Sequence, residues 1–356
     1  MSIDSFIMYL MLAGCIIGGI DKLIGNRLGL GERFEEGFKA MGSIALAIVG
    51  IVSLAPVLAR LLKPLVSPML KTFGADPAMA ASIIANDMGG YSLAISLAES
   101  QQAGLYSGLI VAAMLGCTLV FSMPLGLGLI QEKDRPHFFK GFLLGLISVP
   151  FGSILGGVVA GFEMAMLIQN TIPIAVLSIV LALSLWHFPS TTIRFASYFG
   201  ILIEKISLIG LILAAFYSFT DIQIIPGLAP IWEGLRITVQ IGVVLLGAFP
   251  LVHLLIRLLS KPLNIIGSRV GLDKTSTGGL LITLANSIPV YGMMKDMNPR
   301  GKVMNAAFLV PATSTLGAHL GFTAGVNPEM IVPVIAGKLF AGIVALLLSY
   351  FATRDL

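Results

Sequence analysis

Ile83-Ile84-Ala85-Asn86-Asp87-Met88-Gly89-Gly90-Tyr91 sets an amide, a carboxylate and a glycine pair inside an otherwise apolar stretch, residues 79–97. In hydrocarbon a helix satisfies its own backbone, and Gly or Pro interruptions survive only inside protein or beside water. A second stretch, 277–294, is interrupted in the same way by Gly278, Gly279, Asn286 and Pro289. Both read as broken or re-entrant segments rather than straight crossings.

The medium follows from composition. Hydrophobic residues make up 56% of the 356 positions and charged residues only 11%, with a mean hydropathy of +0.96. A soluble domain carries roughly a quarter charged residues, so too little polar surface remains here to face water. Apolar runs near 5–20, 40–59, 106–130, 141–161, 171–188, 200–219, 237–256, 304–325 and 332–352 are each about long enough to cross a core of roughly 30 Å. The expected fold is an all-α polytopic membrane protein forming a single membrane domain, 1–356, multi-pass in a bacterial inner membrane. It has about nine full transmembrane helices plus the two broken segments. Its bulk partner is the lipid bilayer. The net charge of +4 comes from loop Lys and Arg between apolar runs, which mark the cytoplasmic side and give no sign of nucleic acid. Cys15 and Cys117 lie in apolar runs without metal-type spacing and read as small core residues. Nothing in the composition speaks for or against a homo-oligomer.

An internal repeat relates residues 36–130 to 233–325. Glu36-Gly37 pairs with Glu233-Gly234, Gly74-Ala75-Asp76 with Gly271-Leu272-Asp273, and Ala85-Asn86 and Tyr91 with Ala285-Asn286 and Tyr291. If both odd segments are re-entrant and the N-terminus is outside, Arg60, Lys63 and Lys71 fall outside and Lys205, Arg236 and Lys338 within spans. Every other Lys and Arg then lies inside, as the charge rule asks. Letting both segments cross weakens that bias; letting only the first cross scarcely changes it, and the repeat decides, because homologous segments should behave alike. An odd number of full spans (40–59, 106–130, 141–161, 171–188, 200–219) then separates the repeats. The second copy is therefore inverted, the architecture in which secondary transporters bind solute between broken segments.

Chemistry is expected at the interruptions. A carboxylate near the bilayer centre costs about 2.5–3.5 kcal/mol, so Asp87 calls for a cation, a water path or a capping role. Asn86 and Asn286 stand at equivalent places and offer both donors and acceptors; their bland role is to hold an opened helix together. Tyr91 and Tyr291 offer ring faces to a cation or anchor at interfaces, and Thr283 and Ser287 flank Asn286 at helical spacing. These seven residues form the expected substrate site. His319 could sense pH or, the commoner role, donate one interhelical hydrogen bond. No H-E-x-x-H, no G-x-S-x-G and no metal-spaced His or Cys cluster occurs in the sequence. No catalytic residue, cofactor or metal is therefore expected, and an intramembrane enzyme is the weaker reading beside a transporter.

The strings FEEGFKAMG (34–42), LAPVLA (54–59), DMGG (87–90), FSMPLGLGLI (121–130), LANSIPVYGMMKDMNPRGKVMNAAF (284–308) and HLGF (319–322) resemble the ethanolamine-utilisation membrane transporter family, EutH. They run through both repeats. The resemblance implies transmembrane passage of ethanolamine, as the protonated ammonium, for ethanolamine utilisation. The competing expectation is an ion-coupled transporter of another small polar metabolite.

Overall fold

The computed structural model describes residues 3–84, 87–118 and 122–356. Every regular element among them is helical. The chain begins with α1 (Ile3–Leu23) and α2 (Leu30–Lys71), followed by a 3-10 turn (Pro77–Ala80), α3 (Ala81–Ile84), a second 3-10 turn (Asp87–Gly89) and α4 (Gly90–Leu97). Next come α5 (Gln101–Leu105), which continues in π-helical geometry over Tyr106–Gly116, and α6 (Met123–Leu129). Four long helices follow: α7 (Arg135–Val159), α8 (Met164–His187), α9 (Pro189–Thr220) and α10 (Ile231–Arg269). The remainder is α11 (Lys274–Ala285), α12 (Ile288–Met293), α13 (Pro299–Ala312), α14 (Ala318–Val326) and α15 (Ile331–Ala352).

Seven helices among the described residues are long and apolar enough to cross a membrane: those at Asp4–Leu23, Leu30–Lys71, Glu132–Val159, Met164–His187, Pro189–Thr220, Ile231–Arg269 and Pro328–Ala352. Their outward faces carry large apolar side chains such as Leu46, Ile179, Phe195, Val243 and Leu347. That is the pattern of helices solvated by lipid. Among the described residues, one of the expected spans differs from a straight rod. The 106–130 run passes through residues 119–121, which lie outside the described set. The 304–325 run is interrupted: α13 ends at Ala312, and α14 starts at Ala318 after a turn in which Ser314 has φ of 53°. Pro311 lacks the N–H that a helix would use there, and the chain turns within the next residues.

The longest helices, α2 with 42 residues and α10 with 39, pack against each other. Gly37 lies on the Leu245 backbone, Met41 lies on Gly242, and Gly234 lies on Val49, where a methyl group would come within 2.7 Å of the Val49 Cα. Contacts that move backward along one helix as they advance along the other make the pair antiparallel. Glycine at these points lets the backbones approach more closely than any side chain would allow, the usual device between helices in lipid, where hydrophobicity gives no net drive to associate.

Each glycine-interrupted stretch returns to its own start. The Asp76 carboxylate caps the first turn by accepting from Ala78 N at 2.8 Å, and also accepts from Glu99 N at 3.0 Å and Ser100 N at 3.1 Å. Asp273 accepts from Ser276 N at 2.7 Å and from Asn298 N at 2.5 Å. Ser100 and Asn298 in turn cap the next helices, accepting from Ala103 N and Gly301 N. One aspartate thus ties both ends of each hairpin with charge-assisted bonds. Asp76→Ala and Asp273→Ala should each lower stability by about 1–2 kcal/mol, the scale of a lost N-cap, read as a drop in the thermal midpoint of the detergent-solubilised chain. An unchanged midpoint would show that the hairpins close without these carboxylates.

Candidate functional site

The interruptions converge on one cavity of about 320 Å³. Ala40, Ser43, Ile44, Ala47 and Ile48 of α2 form one wall, and Leu245 and Phe249 of α10 another. Met88 and Gly89 enter from the first hairpin, Ala285, Asn286, Ser287 and Ile288 from the second, Cys117 from the end of the π-helical segment, and Thr313, Ser314, Ala318 and His319 from the turn between α13 and α14. A cavity of this size, mostly apolar with a few convergent polar groups, has the usual form of a small-ligand site.

The backbone around it is held by cross-capping. The last carbonyls of a helix lack partners within that helix. At the end of α11, Asn286 N donates to Ile282 O at 2.9 Å, Ser314 N to Thr283 O at 2.9 Å, and Leu316 N to Leu284 O at 2.8 Å. The second hairpin and the α13–α14 turn therefore satisfy one another. Gly317 lies directly on the Ala285 carbonyl oxygen, where a Cβ would collide with it. Ser314 holds its left-handed conformation inside this interlock. Such strain persists only where the surroundings over-determine it, and it clusters at binding sites.

The expected site residues divide. Asn286 is exposed into the opening and lines the cavity, its Oδ1 accepting from Ile288 N at 3.0 Å. Ser287 lines it too. Asn86 lies outside the described residues, as does the side chain of Asp87, whose 3-10 turn supplies Met88 and Gly89 to the wall. Tyr91 is half-buried, edge-on to Phe322 with ring centroids 6.0 Å apart. Thr283 is buried and donates within its own helix to Gly279 O at 2.9 Å. Tyr291 is buried against Phe138 and Gly126 and donates to Ser122 O at 2.9 Å, so its ring braces α6 and α7.

Three polar residues that sequence reasoning left out stand at the site. Thr313 is 1% exposed, lines the cavity, and its Oγ1 has no hydrogen-bond partner among the described residues; a buried hydroxyl without a partner costs roughly 1–3 kcal/mol. His319 is buried on the same wall, its Nδ1 3.1 Å from Thr313 O and 3.0 Å from Lys338 Nζ. Lys338, on α15, has 0% exposure and donates to Ala113 O at 2.5 Å. It is the one charged residue in an otherwise apolar helix, a position that signals function by default.

The chain matches the family described as "Ethanolamine utilisation protein, EutH" over residues 3–352. It belongs to the EutH family. One relative, the "Probable ethanolamine permease EutH" of Listeria monocytogenes serotype 1/2a (strain 10403S), is 47% identical, with 99% of this chain and 95% of the relative covered. The protein of that name from Escherichia coli (strain K12) is 38% identical over 97% of this chain and 94% of its own length. The "Uncharacterized protein YxeR" of Bacillus subtilis (strain 168) is 43% identical over 97% and 94%. No solved structure matches the chain. EutH membership and the apolar helices together make this a multi-pass membrane protein.

Two substitutions probe the interlock from opposite sides. Thr313→Val removes an unbonded hydroxyl with little change of shape and should leave the thermal midpoint unchanged or raised. Gly317→Ala drives a methyl group into the Ala285 carbonyl and should destabilise by about 1–3 kcal/mol, the scale of overpacking. A marked loss of stability in Thr313→Val would mean that its hydroxyl serves the fold.

Proposed function

We propose that this chain carries ethanolamine across the bacterial inner membrane as the ammonium cation, through the cavity between α2 and α10. Asn86 and Asp87 act from the first hairpin, with Tyr91 behind them. Asn286 and Ser287 act from the second, backed by Thr283 and Tyr291. The two hairpins belong to inverted repeats, about 36–130 and 233–325.

The observation that carries this reading is the cavity itself, in which groups suited to both ends of an amino alcohol meet. The C-terminal ends of α11 and α13 reach it, and helix C-termini carry partial negative charge that favours a cation. A primary amine remains protonated at neutral pH, as lysine does. The Thr313 hydroxyl supplies an unused donor and acceptor for the substrate hydroxyl. The antiparallel run of α2 against α10 and the matched aspartate ties support the inversion. The relatives' printed names support permease activity over enzymatic turnover.

Uptake of labelled ethanolamine into proteoliposomes tests the reading. The native chain should accumulate it, and Asp87→Asn should abolish uptake. Thr313→Val should weaken ethanolamine competition by up to about tenfold while leaving ethylamine unaffected, the range of one neutral hydrogen bond. Absence of uptake by the native chain would contradict the proposal, and equal loss for both amines would remove Thr313 from recognition of the hydroxyl.

A further inference from the structure

A groove of about 420 Å³ lies apart from the cavity between α2 and α10, on the flank of the second repeat. Leu263 and Ile266 of α10, with Val270 just past its end, form one side, and Ile343, Leu347 and Tyr350 of α15 form the other. Thr277 of α11 and Met304 of α13 are buried at the floor. The lining carries no charge, and the Thr277 hydroxyl is turned back on its own chain, donating to Asp273 O at 3.0 Å. Ile266, Ile343 and Leu347 are exposed along the rim, so the groove opens sideways, toward lipid. Val270 follows Leu263 by seven residues, as Tyr350 follows Ile343, a run of roughly 10 Å at helical rise. One leaflet's hydrocarbon is about 15 Å deep, half of the full core, so the groove covers most of it.

One end of this apolar groove is basic. The Arg300 guanidinium donates to Val270 O at 3.0 Å and to Thr353 O at 2.9 Å, and lies 5.2 Å from the centre of the Tyr350 ring. It thereby holds the C-terminal ends of α10 and α15 together. Arg269 and Lys274 stand on either side of Val270 in the chain, both exposed, and Arg354, also exposed, lies over the Phe351 ring at 4.7 Å. None of these four cations is in an ion pair among the described residues. Of the acids nearest in sequence, Asp273 is engaged by Ser276 N and Asn298 N, and Asp355 is exposed at the chain's end.

We infer that the groove holds one acyl chain of an anionic phospholipid, with its phosphate held by Arg269, Lys274 and Arg300. An uncharged trough with cations at one end matches an amphiphile lying along the helices. A free anion would leave the trough empty, and a lipid without net charge would leave the cations unmatched. Basic pockets between membrane helices bind anionic headgroups in this way. A guanidinium carries five N–H donors in a fork suited to phosphate oxygens. Three of those on Arg300 go to Val270 O and Thr353 O, leaving two for the ligand. The bound lipid touches α10, α11, α13 and α15 together, beside the base of the second hairpin, and so stabilises their packing.

Native mass spectrometry and thermal unfolding test the assignment on the full-length chain in neutral detergent, supplied with phosphatidylglycerol or with phosphatidylcholine of the same acyl chains. We expect phosphatidylglycerol to be retained and to raise the thermal midpoint by several degrees. Phosphatidylcholine and inorganic phosphate should do neither. Arg269→Gln combined with Lys274→Gln, both at exposed positions, should weaken phosphatidylglycerol retention about thirtyfold, the joint effect of two basic side chains beside a headgroup. The lipid-free midpoint should stay unchanged in that variant. Ile343→Trp fills the groove while keeping every cation and should cut retention to the phosphatidylcholine level; if it does not fold, Leu347→Trp on the exposed rim provides the same obstruction. Equal retention of the two lipids would overturn the inference. Retention undiminished in the double variant or in the groove-filling one would place the lipid elsewhere and overturn it as well. A midpoint rise reproduced by inorganic phosphate would reveal a free-anion site and equally contradict it.

Discussion

The close antiparallel approach of α2 and α10 is the contact on which the rest of the molecule depends. Gly37 against Leu245 and Gly234 against Val49 bring two backbones together where any side chain would hold them apart. Lipid is as apolar as the helices, so this packing and the hydrogen bonds beside it, rather than the hydrophobic effect, must hold the pair together. Within the same stretch, Ala40, Ser43, Ile44, Ala47 and Ile48 of α2 and Leu245 and Phe249 of α10 line the cavity. The hairpins and the α13–α14 turn supply the rest of its lining.

Interrupted helices in apolar surroundings expose backbone groups that must find partners, and this requirement shapes the site as strongly as shape does. The carbonyls at the end of α11 are taken by the N–H groups of Ser314 and Leu316, so neither interruption could form without the other. At the hairpin bases, single carboxylates on Asp76 and Asp273 gather the N–H groups of both strands of the chain. Beside this satisfied backbone the polar groups lining the cavity are few: the Thr313 hydroxyl, the amide of Asn286, Ser287, Ser314, and the imidazole of His319, with Lys338 behind it. A small, polar, charged solute suits such a sparse set.

Much of the architecture was legible in the sequence because membrane spans declare themselves by length and apolarity, and because glycine, proline and amide residues at depth are conspicuous. The stretches 79–97 and 277–294 were singled out from the sequence; in the second, α11 ends at Ala285, and Asn286 and Ser287 line the cavity. The turn at 313–317 was missed: Pro-Ala-Thr-Ser-Thr-Leu-Gly at 311–317 lies in an apolar run and reads as a tolerable helix. Only the partner carbonyls at 283 and 284, set by tertiary contact, make a turn there favourable. Thr313 was passed over with it, and His319 was read outside the substrate site. Lys338 was visible as a lone charge in an apolar span, but the Ala113 carbonyl and the His319 ring are distant in sequence and could not be paired with it in advance. Tyr291 illustrates the reverse: a tyrosine spaced from Asn286 just as Tyr91 is from Asn86 is committed to the Ser122 carbonyl.

The inversion of the two halves is the central claim, because it places the two hairpins opposite each other around one cavity. Single cysteines at Thr72 and Ser268, on a background with Cys15 and Cys117 replaced, measure it directly through labelling by a membrane-impermeant maleimide. Both positions are exposed, each close to its hairpin base. Inverted halves predict labelling of Thr72→Cys from outside intact cells, and of Ser268→Cys only when the inner face is opened. Labelling of both from the same side would contradict the account.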